Sequence, residues 1–251
     1  MNIESWKKVF GFTLIENYPS LNCPYCDAEE LTPNPESLHF EGISEEQAKK
    51  TYRKYAEVKD TKDQAITSVL AEHKPKGILE SLVVAGVIAF SDYSDDLDGA
   101  PYLMNGFMQC RSCDGAVSIN GIALESNQGN QKKKIKIEFF SPIVPLFNLS
   151  INIPKSIRIE LEDSFRHIHF DPNSAASKLR RAIEQFCEGW GAKGKNLHQQ
   201  ICSLKDLHPE EAEYLESLKL VGNEGTHASN VDETDLLYAY QVFQFVLELY
   251  D

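Results

Sequence analysis

Cys23-Pro24-Tyr25-Cys26 and, far downstream, Cys110-Arg111-Ser112-Cys113 decide how the first half of this chain folds. Each pair has the C-x-x-C spacing that lets two thiolates from one tight turn reach a single tetrahedral Zn²⁺. Short apolar segments run into both turns, Phe12-Thr13-Leu14-Ile15 before the first and Leu103 to Met108 before the second. Asp114-Gly115 follows the second pair, and its glycine suits the positive φ that such a turn often needs. Cys23, Cys26, Cys110 and Cys113 are therefore the expected ligands of one structural zinc in a zinc-ribbon-like region. The pairs are separated by the 83 residues from Asp27 to Gln109. A compact ribbon has about 15–20 between them, so the region must carry an insert. A redox motif of the thioredoxin kind is the competing reading, but neither pair opens a helix in a βαβ unit. The bland alternative is two sets of unrelated thiols. Cys187 and Cys202 occupy apolar helical positions and are expected in the core.

The insert, about 27–109, holds 16 acidic against 8 basic side chains. Thr32 to Ser37 (TPNPES) is loop chemistry. Ser44-Glu45-Glu46-Gln47 predicts a capping box that opens a helix reaching about Val58. A second helix is expected over Lys62–Glu72, and the apolar run Leu79–Ala89 is a strand or a short buried helix. Ser91 to Asp98 reads as a solvated acidic loop. Beyond the second cysteine pair, Ala116–Glu125 and Lys132–Phe140 alternate as two strands joined by a turn at 126–131. Lys132, Lys133, Lys134 and Lys136 form the dense positive patch of the sequence. They either keep a hairpin tip soluble or contact phosphate.

Ser141 to Pro154 has three prolines and no period, so it marks a boundary. The expected organisation is α+β: a zinc-ribbon-like domain over 1–140 with its helical insert, a linker over 141–153, and an all-helical bundle over 154–251. Ile157, Leu161, Phe165 and Ile168 share one face of the first bundle helix. Asp171-Pro172 is an N-cap with a first-turn proline, opening an amphipathic helix over Asn173–Glu188 with Leu179, Ile183 and Phe186 inward. Shorter helices follow around Leu197–Leu204 and from Pro209. The last opens at Asp232 and is apolar over a band wide enough to meet a second subunit. Arg180-Arg181 is either a solvated, ion-paired edge or a basic wall for an anionic ligand. His167 and His169 flank Ile168, with Asp171 close by, too few donors for a convincing metal site.

The net charge of −13 excludes broad adhesion to nucleic acid or anionic lipid, because the long-range field repels polyanions. The apolar run Leu82–Phe90 is too short to span a bilayer, and the first twenty residues lack a signal-peptide pattern. A cytoplasmic protein without membrane contact is expected, with cysteines free or metal-bound.

Leu218 to His227 (LKLVGNEGTH) sets an amide, two glycines and an imidazole between two helical segments. Together with Asp171 to Ala182 (DPNSAASKLRRA), the segment from Phe139-Phe140-Ser141-Pro142 to Ile153-Pro154 and the closing Leu-Tyr helix, it resembles bacterial domain-of-unknown-function family 4145. That family is similar to the HEPN superfamily of helical bundles. The resemblance implies a HEPN-like bundle that dimerises through its C-terminal helices and serves a phage-defence, restriction or toxin–antitoxin system. It also implies an RNA, DNA or defence-protein partner. Its motif is Arg-Asn-x-x-x-His, in which the histidine acts as general acid or base and the arginine counters phosphoryl charge. Asn223 and His227 match, whereas Gly222 stands where the arginine would be. Lys219, one helical turn before Asn223, or Arg181 is the substitute cation, and Arg180 and Arg181 are the candidate ligand contacts. The structural alternative makes Gly222 a helix C-cap and Asn223 part of the turn. A non-catalytic, regulatory binding component is the expected function; the alternative is a metal-independent endoribonuclease using His227 and Asn223.

Overall fold

Three long strands, over 100–110, 116–125 and 133–141, build the centre of the molecule. In the computed structural model, described for residues 1–52, 55–56, 59–60, 63–64, 67, 99–125, 132–218, 231 and 233–250, the chain is mixed α+β. An N-terminal sheet is followed by C-terminal helices. The strands are β1 (Thr13–Leu14), β2 (Leu31–Pro33), β3 (His39–Gly42), β4 (Ala100–Cys110), β5 (Ala116–Glu125) and β6 (Lys133–Ser141). All pairings are antiparallel, in the order β1-β6-β5-β4-β2, with β3 on the other half of the β4 edge. Met104, Met108, Val117, Ile119, Ala123, Ile135 and Ile137 face one side and are buried. A bulge at Asn120/Gly121 interrupts the β5–β6 register. Gly121 is required there, because a Cβ would lie 2.0 Å from the Lys136 carbonyl oxygen.

Thr32-Pro33 belongs to β2 rather than to a loop. Proline is tolerated because β2 is an edge strand whose far side needs no ladder donor. One helix escapes the sequence reading altogether: α1 (Ile3–Phe10), capped by the Asn2 side chain, buries Trp6, Val9 and Phe10. Ile3, Trp6 and Phe10 recur at three- and four-residue steps, the signal that would have revealed it. The insert's capping box forms as expected, with Ser44 and Gln47 exchanging side chain-to-backbone bonds at the start of α2 (Glu45–Thr51). The expectations at 68–98 and 126–131 lie outside the described residues.

α2 covers the opposite side of the sheet. There Ala48, Tyr55, Ile122 and Leu124 form a small cluster of their own, with Tyr52 packed against it. The Tyr52 hydroxyl donates to the Gly121 carbonyl at 2.7 Å. Under this cover Lys136 and Glu138, two residues apart on one side of β6, make a buried ion pair at 2.7 Å.

The helices are α3 (Lys155–His167), α4 (Pro172–Gly189), α5 (Leu197–Leu204), α6 (Pro209–Ser217) and α7 (Glu233–Leu247). Asp171 caps α4 through the Ser174 amide, and seven α4 side chains are buried. Each large one contributes about 1.5–3 kcal/mol of burial free energy. Ser164 of α3 donates to the Ala175 carbonyl and bonds the Tyr240 hydroxyl, tying α3, α4 and α7 together in the core. Val144, Leu146, Phe147 and Ile153 of the 141–153 segment are buried, and one continuous apolar core runs from the inner side of the sheet into the helices. α1 packs on both β6 and α7. The composition boundary near residue 141 thus marks a change of secondary structure without a break in the core.

Candidate metal centre

The two cysteine turns are built alike. In the first, the Cys23 amide donates to the Ala28 carbonyl at 2.9 Å and the Asp27 amide to the Cys23 carbonyl at 3.0 Å. In the second, the Cys110 amide donates to the Gly115 carbonyl at 2.9 Å and the Asp114 amide to the Cys110 carbonyl at 3.0 Å. Both turns place an aspartate at positive φ, Asp27 at 61° and Asp114 at 58°. Aspartate is among the residues that tolerate this region. The expected glycine role at position 115 is thereby corrected, since the left-handed residue is Asp114. Gly115 is needed for space: a Cβ there would lie 2.5 Å from Tyr25 Cδ2 and 3.2 Å from Cys113 Sγ. The Tyr25 hydroxyl reaches across to the Ala116 carbonyl at 2.9 Å and clamps one turn to the other.

The sheet brings the turns together. β2 pairs Leu31 with Cys110, and Leu31 bridges back to Leu21, so the first turn hangs beside the β4–β5 hairpin that carries the second. Cys23 Sγ lies 3.7 Å from Cys113 Sγ, and Cys26 Sγ lies 3.7 Å from Cys110 Sγ. All four sulfurs fall within 4.8 Å of one another. A tetrahedral ion with metal–sulfur bonds of about 2.3 Å has sulfur–sulfur edges of about 3.75 Å. The four cysteines could therefore hold a metal ion such as zinc. Cys23 and Cys110 are buried, while Cys26 and Cys113 are exposed, so the cluster has an inner and an outer edge.

Its electrostatics also call for a cation. Burial pushes the Cys23 thiol up. Burial acts in the same direction on Cys110, but the Cys113 and Ser112 amides and the Cys26 and Cys23 thiols outweigh it and bring that thiol down to about 7. The Gly115 amide lowers Cys113, yet the neighbouring Cys26 thiol, burial and the other two thiols push it up to about 12. Four thiolates this close repel one another, and an ion that binds all four removes the conflict.

The expected lysine patch is taken apart by the fold. Lys132 pairs with Glu16 at 2.5 Å. Lys133 lies 3.5 Å from Glu125 and over the Tyr102 and Phe40 rings at 4.9 and 5.4 Å. Lys134 is half-buried and partnered, and Lys136 is the buried partner of Glu138. On α4, Arg180 bonds Glu184 at 3.1 Å and Arg181 bonds Glu160 at 2.7 Å. Lys219, Gly222, Asn223 and His227 lie outside the described residues. Cys187 is buried as expected, but Cys202 is exposed on α5, 3.7 Å from His198 Nδ1. Its position on the helix borders the apolar stripe without entering it.

Among the described residues, His169 belongs to no group that could hold a metal ion. It is buried against Trp6, Phe10 and Phe140, with ring centroids 5.8, 5.5 and 4.8 Å away, and neither ring nitrogen has a hydrogen-bond partner among the described residues.

Residues 163–250 match a family described as Domain of unknown function (DUF4145). The match runs from within α3 past the end of α7. No curated protein and no solved structure matches the chain. Among the described residues, no helix is long and apolar enough to cross a membrane.

Proposed function

We propose that this protein is a zinc-stapled binding component without nuclease activity of its own. In this reading Cys23, Cys26, Cys110 and Cys113 hold one structural Zn²⁺ in a zinc-ribbon-like region. Residues 154–251 form a HEPN-like bundle that pairs with a second copy through the C-terminal helix. The assembly serves a cytoplasmic, bacterial phage-defence, restriction or toxin–antitoxin system and recognises nucleic acid or a partner protein. The observation that carries the proposal is the convergence of four thiols from two alike turns, at edges that fit tetrahedral zinc. The family match over 163–250 supports the helical part. Pairing is supported by α7, where Tyr238 and Phe245 are 48% and 55% exposed and Val242 lies between them on the same stripe. Gly222 favours binding over cleavage, since glycine offers no charge to a pentavalent phosphorane. The alternative, a metal-independent endoribonuclease, rests on the Asn223-x-x-x-His227 spacing alone.

Elemental analysis and light scattering test the first part, with one zinc per chain and a dimer at micromolar concentration expected. Labelled RNA in chelator at neutral pH tests the second. Cleavage that His227→Ala and Asn223→Ala both abolish, with folding unchanged, would establish the nuclease. A general acid–base group contributes about 10²–10⁴-fold, so its loss is readily measured. Activity appearing only in Gly222→Arg would mark a disarmed nuclease site.

A further inference from the structure

The four sulfurs of the metal centre are not equivalent. Cys23 and Cys110 are buried, whereas Cys26 and Cys113 are exposed, so each turn supplies one inner and one outer thiol. Two close contacts cross between the turns, and each joins an outer thiol to an inner one. Cys113 Sγ meets Cys23 Sγ, and Cys26 Sγ meets Cys110 Sγ, both at 3.7 Å. The Tyr25 amide donates to Cys23 Sγ at 3.5 Å and holds that sulfur in its contact with Cys113. A disulfide is about 2.0 Å long, so either contact becomes a bond after a closure of about 1.7 Å, shared by two side chains. The turns are also held together by bonds that involve no sulfur. The Tyr25 hydroxyl donates to the Ala116 carbonyl, the Arg111 amide donates to the Glu30 carbonyl at 3.1 Å, and β2 pairs Leu31 with Cys110.

Thiol oxidation follows exposure and thiolate character, and a redox-sensing cysteine stands beside a second thiol that resolves its first oxidation product. Both conditions meet here twice, since cysteines that hold zinc are thiolates. We propose that the centre is a peroxide-sensitive switch, in which Cys113 and Cys26 are oxidised first and Cys23 and Cys110 resolve them as two cross-turn disulfides. Cys113 Sγ attacks one peroxide oxygen, the O–O bond breaks, and the other oxygen leaves as water with a proton from solvent. Cys23 Sγ then attacks the sulfenic sulfur, the S–O bond breaks, and its oxygen also leaves as water. Two electrons pass from the sulfur pair to the peroxide. Cys26 and Cys110 follow the same course with a second peroxide. Disulfide sulfur offers a cation no negative charge, so the four sulfurs give up their ion as the pairs close. Because both bonds join one turn to the other, a covalent staple replaces the metal one and the sheet stays folded. The exposed edge changes from a negatively charged thiolate cluster to a neutral one. This switch rests on the zinc reading above and adds a control to the same site.

The test treats the full-length zinc-loaded protein with hydrogen peroxide. Cys202→Ser serves as the background, because it removes the other exposed thiol. Released zinc is followed with a chromogenic chelator, disulfides are mapped by mass spectrometry of unreduced peptides, and the fold is followed by far-UV circular dichroism. The expected result is loss of the bound zinc with two peroxides consumed per ion. Peptides joined as Cys23–Cys113 and Cys26–Cys110 should accompany it, with an unaltered dichroism spectrum. Dithiothreitol and added zinc should restore the starting state. Disulfides within the turns, Cys23–Cys26 and Cys110–Cys113, would overturn the pairing. Sulfinic acid at Cys26 or Cys113 without disulfide would show that the inner thiols do not resolve them. Zinc retained in excess peroxide, or a spectrum that collapses as zinc leaves, would each overturn the switch. A protein that purifies without zinc would lose the reading of the previous subsection, and the disulfide map would still decide the pairing of the thiols.

Discussion

Replacing Glu138 should cost far more than replacing it together with Lys136. The two charged ends lie 2.7 Å apart, and their side chains are only 9% and 10% exposed beneath α2. At an effective dielectric of about 20, their attraction is about 6 kcal/mol. Moving each ion out of water costs several kcal/mol, so the pair roughly breaks even against an apolar one. The asymmetry appears when one member goes. Glu138→Leu leaves the Lys136 ammonium buried beside Ile122 with its partner gone, and should destabilise by about 3–5 kcal/mol. Lys136→Met/Glu138→Leu restores an apolar contact with Ile122 and Leu124, and should lie between neutral and about 4 kcal/mol more stable than wild type. Urea unfolding of the zinc-saturated protein is the assay, with a midpoint lower by roughly 1–2 M for the single variant. A single variant that loses less than about 1 kcal/mol would show that the ammonium reaches water. A double variant as unstable as the single one would show that α2 packs on something other than this pair. Either result would refute the reasoning.

Two further outcomes follow from the same structure. His169 is buried with no hydrogen-bond partner among the described residues, and its pKa is pushed down to about 3, chiefly by burial and secondly by the Lys136 charge. The unfolded chain takes up that proton near pH 6.5, so stability from this group is present above 6.5 and is lost as pH falls toward 3, at up to about 1.4 kcal/mol per pH unit. His169→Phe should flatten that slope in thermal melts taken across the window, and an unaltered slope would count against the assignment. Gly115→Ala drives a Cβ into the Tyr25 ring and should weaken zinc retention against a chelator by about tenfold or more, as a clash of about 1–3 kcal/mol would. Tyr25→Ala in the same chain should recover most of that loss; no recovery would place the clash elsewhere.

Much of this architecture is local and was legible in residue order. The helix at 172–189 follows from its period and its Asp171-Pro172 start, the capping box at Ser44–Gln47 from four residues, and the strands at 116–125 and 133–141 from alternation. These are short-range preferences, and each segment carries its own signal. The pattern at Cys23–Cys26 and Cys110–Cys113 likewise announces two candidate metal-ligating turns, because two thiols on one turn are a local fact. That the turns meet is not local. It depends on β2 pairing with the end of β4 and on Tyr25 reaching Ala116. Burial has the same character. Lys136 reads as one more surface lysine in a basic run until α2, some ninety residues earlier, closes over it. Position 115 is glycine because a ring from the other turn occupies the space its side chain would need. Residue order sets which conformation a segment prefers and which of its faces is apolar; what that face meets is decided only when a distant segment arrives, since desolvation and steric contact belong to the pair and not to either sequence alone.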